Sequence, residues 1–380
     1  MNGSDTGSTN HPGANSGANS GAQATAHTTE AATAELSIER TGALGRITLR
    51  RAEKLNALTH AMVRAMRDAL QRWQHDDGVA MVLVDAEPGK AFCAGGDVTT
   101  MYHQGVDGDI DAVRRFFADE YRLNALIARY PKPYVAIMDG ITMGGGIGIS
   151  AHGSHRIVTE RSVLAIPECV IGLVPDVGAT DLLARAPGHL GECLALSGAR
   201  LDAADARYAG LADHHVPSER IEALKAALLE TAEPSAIAAF AIEPGESALQ
   251  ARAPLIDELF GRATLGEVLD AVSASDAGSD EPWLQAIGTA IRRASPLSLH
   301  VALALVRAAR AEPGVEAALV REYRVVSRAV EQGDFLEGVR AALIDKDRTP
   351  RWRHADVANV DDEALAVMLQ GAPGGDVELA

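Results

Sequence analysis

An α/β core followed by a helical portion is predicted from three features of the sequence. Two continuous apolar runs, Ala80-Met81-Val82-Leu83-Val84 and Tyr134-Val135-Ala136-Ile137-Met138, have the composition of strands covered on both faces. A helical pattern over 113–128 separates them, the alternation expected of right-handed crossovers between parallel strands. Beyond about Leu201 the strand signals fade and helical spacing takes over.

Along the chain, Leu36, Ile38, Ile47 and Leu49 alternate with polar residues about a Thr41-Gly42 turn, which predicts a half-buried hairpin. Thr59 is placed to cap a helix whose apolar face carries Met62, Met66, Leu70 and Trp73. The run over 80–84 follows as the first buried strand and the run over 134–138 as the second. A third strand pattern covers 156–165. Helices are expected over 221–229, 296–310, 315–330 and 335–344, whereas 243–280 is broken by Gly and Ser and gives no clear element.

The two ends differ from the rest. Residues 1–35 contain GANSGANSGA, no aromatic residue and no Lys or Arg, so they are read as a disordered tail. They lack the features of a secretory signal or an arginine-rich presequence, and a cytoplasmic setting is expected. Residues 361–380 carry five acidic side chains and no basic one, and are read as an acidic flexible tail. Between them, 36–230 is taken as the core and 231–360 as the helical region.

Composition excludes several classes. The 380 residues carry 52 acidic and 35 basic side chains, a net charge of -17, without the basic footprint of a nucleic-acid binder. Aromatic residues are 4% of the chain, too few for stacking platforms. No apolar run approaches the roughly 18 residues that span a bilayer, so no membrane partner is expected. Cys93, Cys169 and Cys193 share no close motif, which argues against a disulfide framework or zinc knuckle. His152 and His155 lack an acidic companion, so no metal site is expected. Ser150 and Ser154 lack a GxSxG elbow, and Cys93 reads better as a packing residue than as a nucleophile.

Two glycine-rich turns stand out. Lys90-Ala91-Phe92-Cys93-Ala94-Gly95-Gly96-Asp97 follows the first buried strand, and Asp139-Gly140-Ile141-Thr142-Met143-Gly144-Gly145-Gly146 follows the second. Both lie just beyond the carboxyl end of a strand, where open α/β sheets bind ligands. Glycines there let backbone N–H groups approach a ligand closely. Two N–H groups converging from different loops form an oxyanion hole for a carbonyl gaining charge. Either run alone is also explained by turn chemistry, and neither matches a phosphate-loop pattern.

Glu168, in Ile166-Pro167-Glu168, and Asp176, in Gly172-Leu173-Val174-Pro175-Asp176-Val177-Gly178, sit in apolar surroundings bracketed by Pro and Gly. An apolar pocket raises a carboxyl pKa and suits it to acid or base work, while a surface turn is the plainer reading. Glu120, beside Tyr121 on a helix, is a further candidate.

Together these motifs carry a resemblance that spans roughly 36–360. Lys54-Leu55-Asn56-Ala57-Leu58, both glycine turns and the Pro167–Gly178 segment resemble the crotonase (enoyl-CoA hydratase/isomerase) superfamily. More narrowly the chain is similar to the 3-hydroxyisobutyryl-CoA hydrolase family. That narrowing rests on Thr142-Met143-Gly144, on Pro175-Asp176-Val177-Gly178, and on three downstream stretches: Glu322-Tyr323-Arg324, Asp334-Phe335-Leu336-Glu337-Gly338, and Asp345-Lys346-Asp347-Arg348-Thr349-Pro350. The resemblance implies a crotonase-like spiral core of ββα units with a helical C-terminal region. By motif position, the N–H groups of Gly96 and Gly145 would form the oxyanion hole. Lys54, Ala57, Lys90 and Phe92 would line the approach of coenzyme A. Glu120, Gly145, Glu168 and Asp176 match substrate-site positions, Glu168 at the catalytic one. Hydratases of the superfamily carry a second glutamate two residues after the triple glycine, where this chain has Gly148.

The implied reaction is hydrolysis of a short 3-hydroxyacyl-CoA thioester in valine breakdown, with Glu168 as nucleophile or general base. No cofactor is implied, since coenzyme A is part of the substrate. Enoyl-CoA hydratase or isomerase chemistry, and a non-catalytic acyl-CoA binding protein, are the competing readings. Crotonases commonly form trimers or dimers of trimers, so a homo-oligomer is among the expectations.

Overall fold

The structure, a computed structural model, describes residues 27–32, 34–277 and 279–379. Strand β1 (His27–Ala32) pairs antiparallel with β2 (Leu36–Thr41), which in turn pairs with β3 (Leu44–Leu49). The β2–β3 pair is the predicted hairpin, with Ile38 opposite Ile47 and Leu36 opposite Leu49, all four buried. Strand β1 departs from the expectation that residues 1–35 are disordered. An edge strand is held by backbone hydrogen bonds, which composition does not report. The rest of that expected tail, 1–26 and 33, lies outside the described residues.

Helix α1 (His60–Trp73) begins where expected, with the Thr59 hydroxyl accepting from the Met62 N–H. Its buried Met62, Met66 and Leu70 each contribute on the order of 1.5–3 kcal/mol of apolar burial. The chain then coils as a spiral in which each turn gives one strand to each of two sheets. The pairs are β4 (Met81–Ala86) with β5 (Ala91–Cys93), β6 (Tyr134–Met138) with β7 (Ile141–Met143), and β8 (His155–Val158) with β9 (Val163–Ala165). The larger sheet closes with β10 (His214–His215) and has the order β1-β2-β3-β4-β6-β8-β10, parallel from β3 onward. The smaller, β5-β7-β9, is wholly parallel. The single strand expected over 156–165 is therefore two. The chain turns over Thr159–Ser162, where the Thr159 N–H donates to the Ser162 hydroxyl, and passes from one sheet to the other.

Helices α2 (Val98–Val106) and α3 (Ile110–Ala128) follow β5, and the four-residue α4 (Gly145–Gly148) follows β7. Both glycine turns thus sit at the carboxyl ends of smaller-sheet strands. Beyond β10 the chain is helical, including Pro296–Ala311 and Val315–Val326, and the unassigned stretch over 243–280 holds three helices, Ala248–Ala251, Ala253–Phe260 and Leu265–Asp276. The helix expected over 335–344 is regular for Phe335–Val339 and continues as a wider π turn over Arg340–Ile344. The larger apolar core runs through the strands and these helices, with Phe335 packed edge-on against Phe117 of α3 at 6.4 Å, and a second cluster joins Leu83, Val135 and Ile157 of the larger sheet to Ile221 and Leu224.

The end of the chain corrects the flexible-tail expectation. Residues 362–369 form a helix whose Met368 is buried. Asp376 pairs with Arg324 at 2.6 Å, and Arg122 donates to the Glu378 carbonyl. Of the acidic residues counted as a solvated tail, Asp376 meets an arginine of the helical region and Asp361 caps the last helix, its carboxylate accepting from the Ala364 N–H.

Candidate active site

The smaller sheet aims its two glycine turns at each other. Leu58 donates to the Gly95 carbonyl at 2.8 Å and accepts from the Asp97 N–H at 2.9 Å, which fixes Gly96 between them. Gly145 opens α4, so its N–H lies at a helix start with no intrahelical acceptor. Among the described residues neither the Gly96 nor the Gly145 N–H has a backbone acceptor. A Cβ on Gly145 would strike the Glu120 carboxylate and lie 3.3 Å from the Gly96 nitrogen, so any side chain there must push Glu120 out of place. The two N–H groups are therefore neighbours in the arrangement of an oxyanion hole.

A cavity of about 230 Å³ opens in front of them. Gly96, Gly145, Glu120, Glu168 and Asp176 all line it, within walls supplied mainly by Val98, Met101, Phe117, Val170 and Leu173. The carboxylates are 2%, 6% and 5% exposed. Burial, and then the Asp176 charge, drives both Glu120 and Glu168 well above the usual carboxylate range. Asp176 is raised to about 7 by burial, a rise opposed by the Tyr121 hydroxyl, which donates to its Oδ2 at 2.9 Å. One oxygen of Glu120 and one of Glu168 have no hydrogen-bond partner among the described residues, which leaves them free to engage a ligand. Two backbone donors facing buried carboxyls of raised pKa can polarise a carbonyl and move a proton beside it.

A family model described as Enoyl-CoA hydratase/isomerase matches residues 44–369. The chain belongs to the enoyl-CoA hydratase/isomerase family. It is 39% identical over 344 residues to "3-hydroxyisobutyryl-CoA hydrolase, mitochondrial" of Rattus norvegicus, covering 88% of each chain. It is 36% identical over 346 residues to "3-hydroxyisobutyryl-CoA hydrolase 1" of Arabidopsis thaliana, covering 88% of this chain and 91% of that one. A solved structure titled as an enoyl-CoA hydratase from Rhodobacter sphaeroides 2.4.1 is 44% identical, with a TM-score of 0.85, covering 90% of this chain and 99% of that one. The relatives from rat, mouse, zebrafish and chicken are all named mitochondrial, which overturns the expected cytoplasmic setting. The absence of leader features in a composition does not report a compartment.

These relatives divide between hydrolases and a hydratase by name, and Gly148 bears on the division. A Cβ there would lie 2.6 Å from the Asn124 amide nitrogen and 2.8 Å from the Val177 Cβ. A second glutamate there needs both the Asn124 side chain and the Val177 loop to move aside.

The other expected site residues lie outside the cavity. Lys54 and Lys90 are exposed and Ala57 is half-buried. Their segments are tied together, with the Asn56 amide donating to the Ala91 carbonyl and the Ala94 N–H to the Leu55 carbonyl, so both cations flank the strand that leads into the first glycine turn. Phe92, expected to line the approach of coenzyme A, has its side chain turned into the protein. It is 0% exposed within the apolar core, because every side chain of β5 is covered, so its ring presents no surface to solvent. Cys93 is likewise enclosed and its thiol is pushed up to about 12 by burial, which fits a packing role.

Three contributors escaped the sequence reading. Tyr121 was noted only as the neighbour of Glu120, although adjacent helical residues point in different directions and it serves Asp176 instead. Leu343, 43% exposed on the π turn, lines the cavity from the far end of the chain. His152, weighed only as a metal ligand, has its Nε2 2.8 Å from the Val177 carbonyl. Burial lowers this imidazole to about 4, so it is neutral and donates that bond.

Proposed function

We propose that the chain hydrolyses the thioester of 3-hydroxyisobutyryl-CoA, giving the free hydroxy acid and coenzyme A. The observation that carries this is the single cavity holding the Gly96 and Gly145 N–H groups together with Glu168 and Asp176. The thioester oxygen sits between the two N–H groups, which stabilise it as charge develops. Glu168 acts on the carbonyl, either attacking it and expelling the coenzyme A thiolate to form a mixed anhydride that water then hydrolyses, or taking a proton from a water that attacks the carbonyl and expels the thiolate. Asp176, steadied by Tyr121, accepts from the 3-hydroxyl. A site that bonds a substrate hydroxyl discriminates strongly against analogues lacking it. Lys54 and Lys90 attract the phosphates of coenzyme A from the rim. The reaction belongs to valine breakdown in this reading and uses no metal or redox cofactor.

Purified protein should release free thiol from 3-hydroxyisobutyryl-CoA and leave crotonyl-CoA unhydrated. Hydration without thiol release would establish the hydratase reading, and ligand affinity without turnover of any thioester would establish a binding protein. The variant Glu168→Gln should lose turnover while still binding coenzyme A, and near-wild-type rates in it would refute the role of Glu168. Single turnover in ¹⁸O-labelled water separates the two roles of Glu168. An anhydride opened by water at the Glu168 carbonyl leaves label in that carboxyl, whereas general-base action places it only in the product acid.

A further inference from the structure

The Glu322-Tyr323-Arg324 stretch contributes no reacting group, yet its first residue is wholly buried against the loop that carries Asp176. Glu322 Oε2 accepts from the Gly178 N–H at 2.6 Å, and Oε1 accepts from the Thr180 N–H at 3.0 Å and from the Thr180 hydroxyl at 2.5 Å. Between Asp176 and this clamp stands Val177 at φ 55°, a left-handed conformation that is costly for a β-branched residue. Such a conformation persists only where its surroundings over-determine it, and it marks functional loops. Here Glu322 holds the residue after Val177, and His152 holds the Val177 carbonyl. The adjacent Tyr323 packs edge-on against Tyr121 at 6.2 Å, and Tyr121 bonds Asp176.

We infer that Glu322 is a positioning residue: by clamping the backbone at Gly178 and Thr180 it holds Val177 in its strained turn, aims Asp176 at the substrate's 3-hydroxyl, and so sets the preference for hydroxylated acyl thioesters. This deepens the function proposed above and rests on it. Glu322→Gln keeps the size of the side chain but turns an amide N–H toward one of the three donors, opening the clamp with little change of packing.

The test is the ratio of kcat/KM for 3-hydroxyisobutyryl-CoA to that for isobutyryl-CoA, which lacks only the hydroxyl. In Glu322→Gln the ratio should fall about tenfold or more through the hydroxylated substrate alone, as expected of a site that loses its hydroxyl partner. Adding Val177→Gly, which adopts the turn without strain, should recover part of the ratio. Placed on Asp176→Asn, the Glu322→Gln change should lower the ratio no further. Thr180→Val, which removes one donor of the clamp, should act in the same direction more weakly and carries the test if Glu322→Gln does not fold. An unchanged ratio, or an equal fall for both substrates, overturns the inference. A wild-type protein that releases thiol from neither substrate overturns the proposed function instead.

Discussion

The oxyanion side of the cavity closes entirely within the ββα core, whereas the Asp176 side is completed by a helix from the far end of the chain. Gly96 and Gly145 are placed by strands β5 and β7 of one small sheet and by bonds to Leu58 nearby. Asp176 depends on Tyr121 of α3, and its loop depends on Glu322, 144 residues beyond Gly178. The difference follows from chemistry. Backbone donors need only a fold that brings two turns together. A buried carboxylate on a strained loop needs side-chain partners, and these come from elements with their own packing. The helical region therefore belongs to the site although it supplies none of the proposed reacting groups.

The largest expected effect tests the self-contained side. Gly145→Ala puts a methyl against Glu120 and beside the Gly96 nitrogen, and should lower kcat by roughly 10²–10³, the scale of one lost oxyanion donor. Coenzyme A affinity, read by calorimetry, should hold. A small loss would mean that the two N–H groups do not serve as a pair.

The next concerns the carboxylate side. Burial lifts Asp176 to about 7, and its ionised form is the acceptor, so kcat/KM should fall as pH is lowered through about 7. Burial and the Asp176 charge raise Glu168 as well, and it too acts in its ionised form, so the fall is about tenfold per pH unit or steeper below that point. A flat profile from pH 8 to 5 would show that these carboxyls are not shut away from water in the working enzyme.

Two smaller effects measure how firmly the helical region is attached. Tyr323→Leu removes the edge-on contact with Tyr121 and should cost about 0.5–1.5 kcal/mol in denaturant unfolding, together with a weaker preference for the hydroxylated substrate. Arg324→Ala breaks an ion pair with Asp376 in which both side chains are a third exposed. It should cost about 0.2–1 kcal/mol, shrinking in high salt. If Tyr323→Leu changed stability and left the preference intact, the two sides of the cavity would be more independent than their contacts indicate.

Much of this was readable along the chain because its cause is local. Short apolar runs rich in β-branched residues, such as 134–138, favour covered strands, the Thr59 hydroxyl caps the helix that its spacing announces, and the glycine turns carry their own conformational signature. The motifs holding Glu120, Glu168 and Asp176 also stand in the sequence, and one cavity receives all three. What escaped depends on partners distant in sequence. The break between β8 and β9 follows from membership in two different sheets, the pairing of β1 from a neighbouring edge, and the docking of 361–379 from arginines on other helices.

Local pattern therefore settled which segments are strands, helices and tight turns, and which residue types were available for chemistry. Folding in three dimensions settled how they act. It enclosed Phe92, filled the space beside Gly148 with Asn124 and Val177, and pressed Glu322 against the Asp176 loop. Burial, close approach and the pKa shifts that follow from them are properties of the surroundings of a side chain, and those surroundings are assembled from the whole chain.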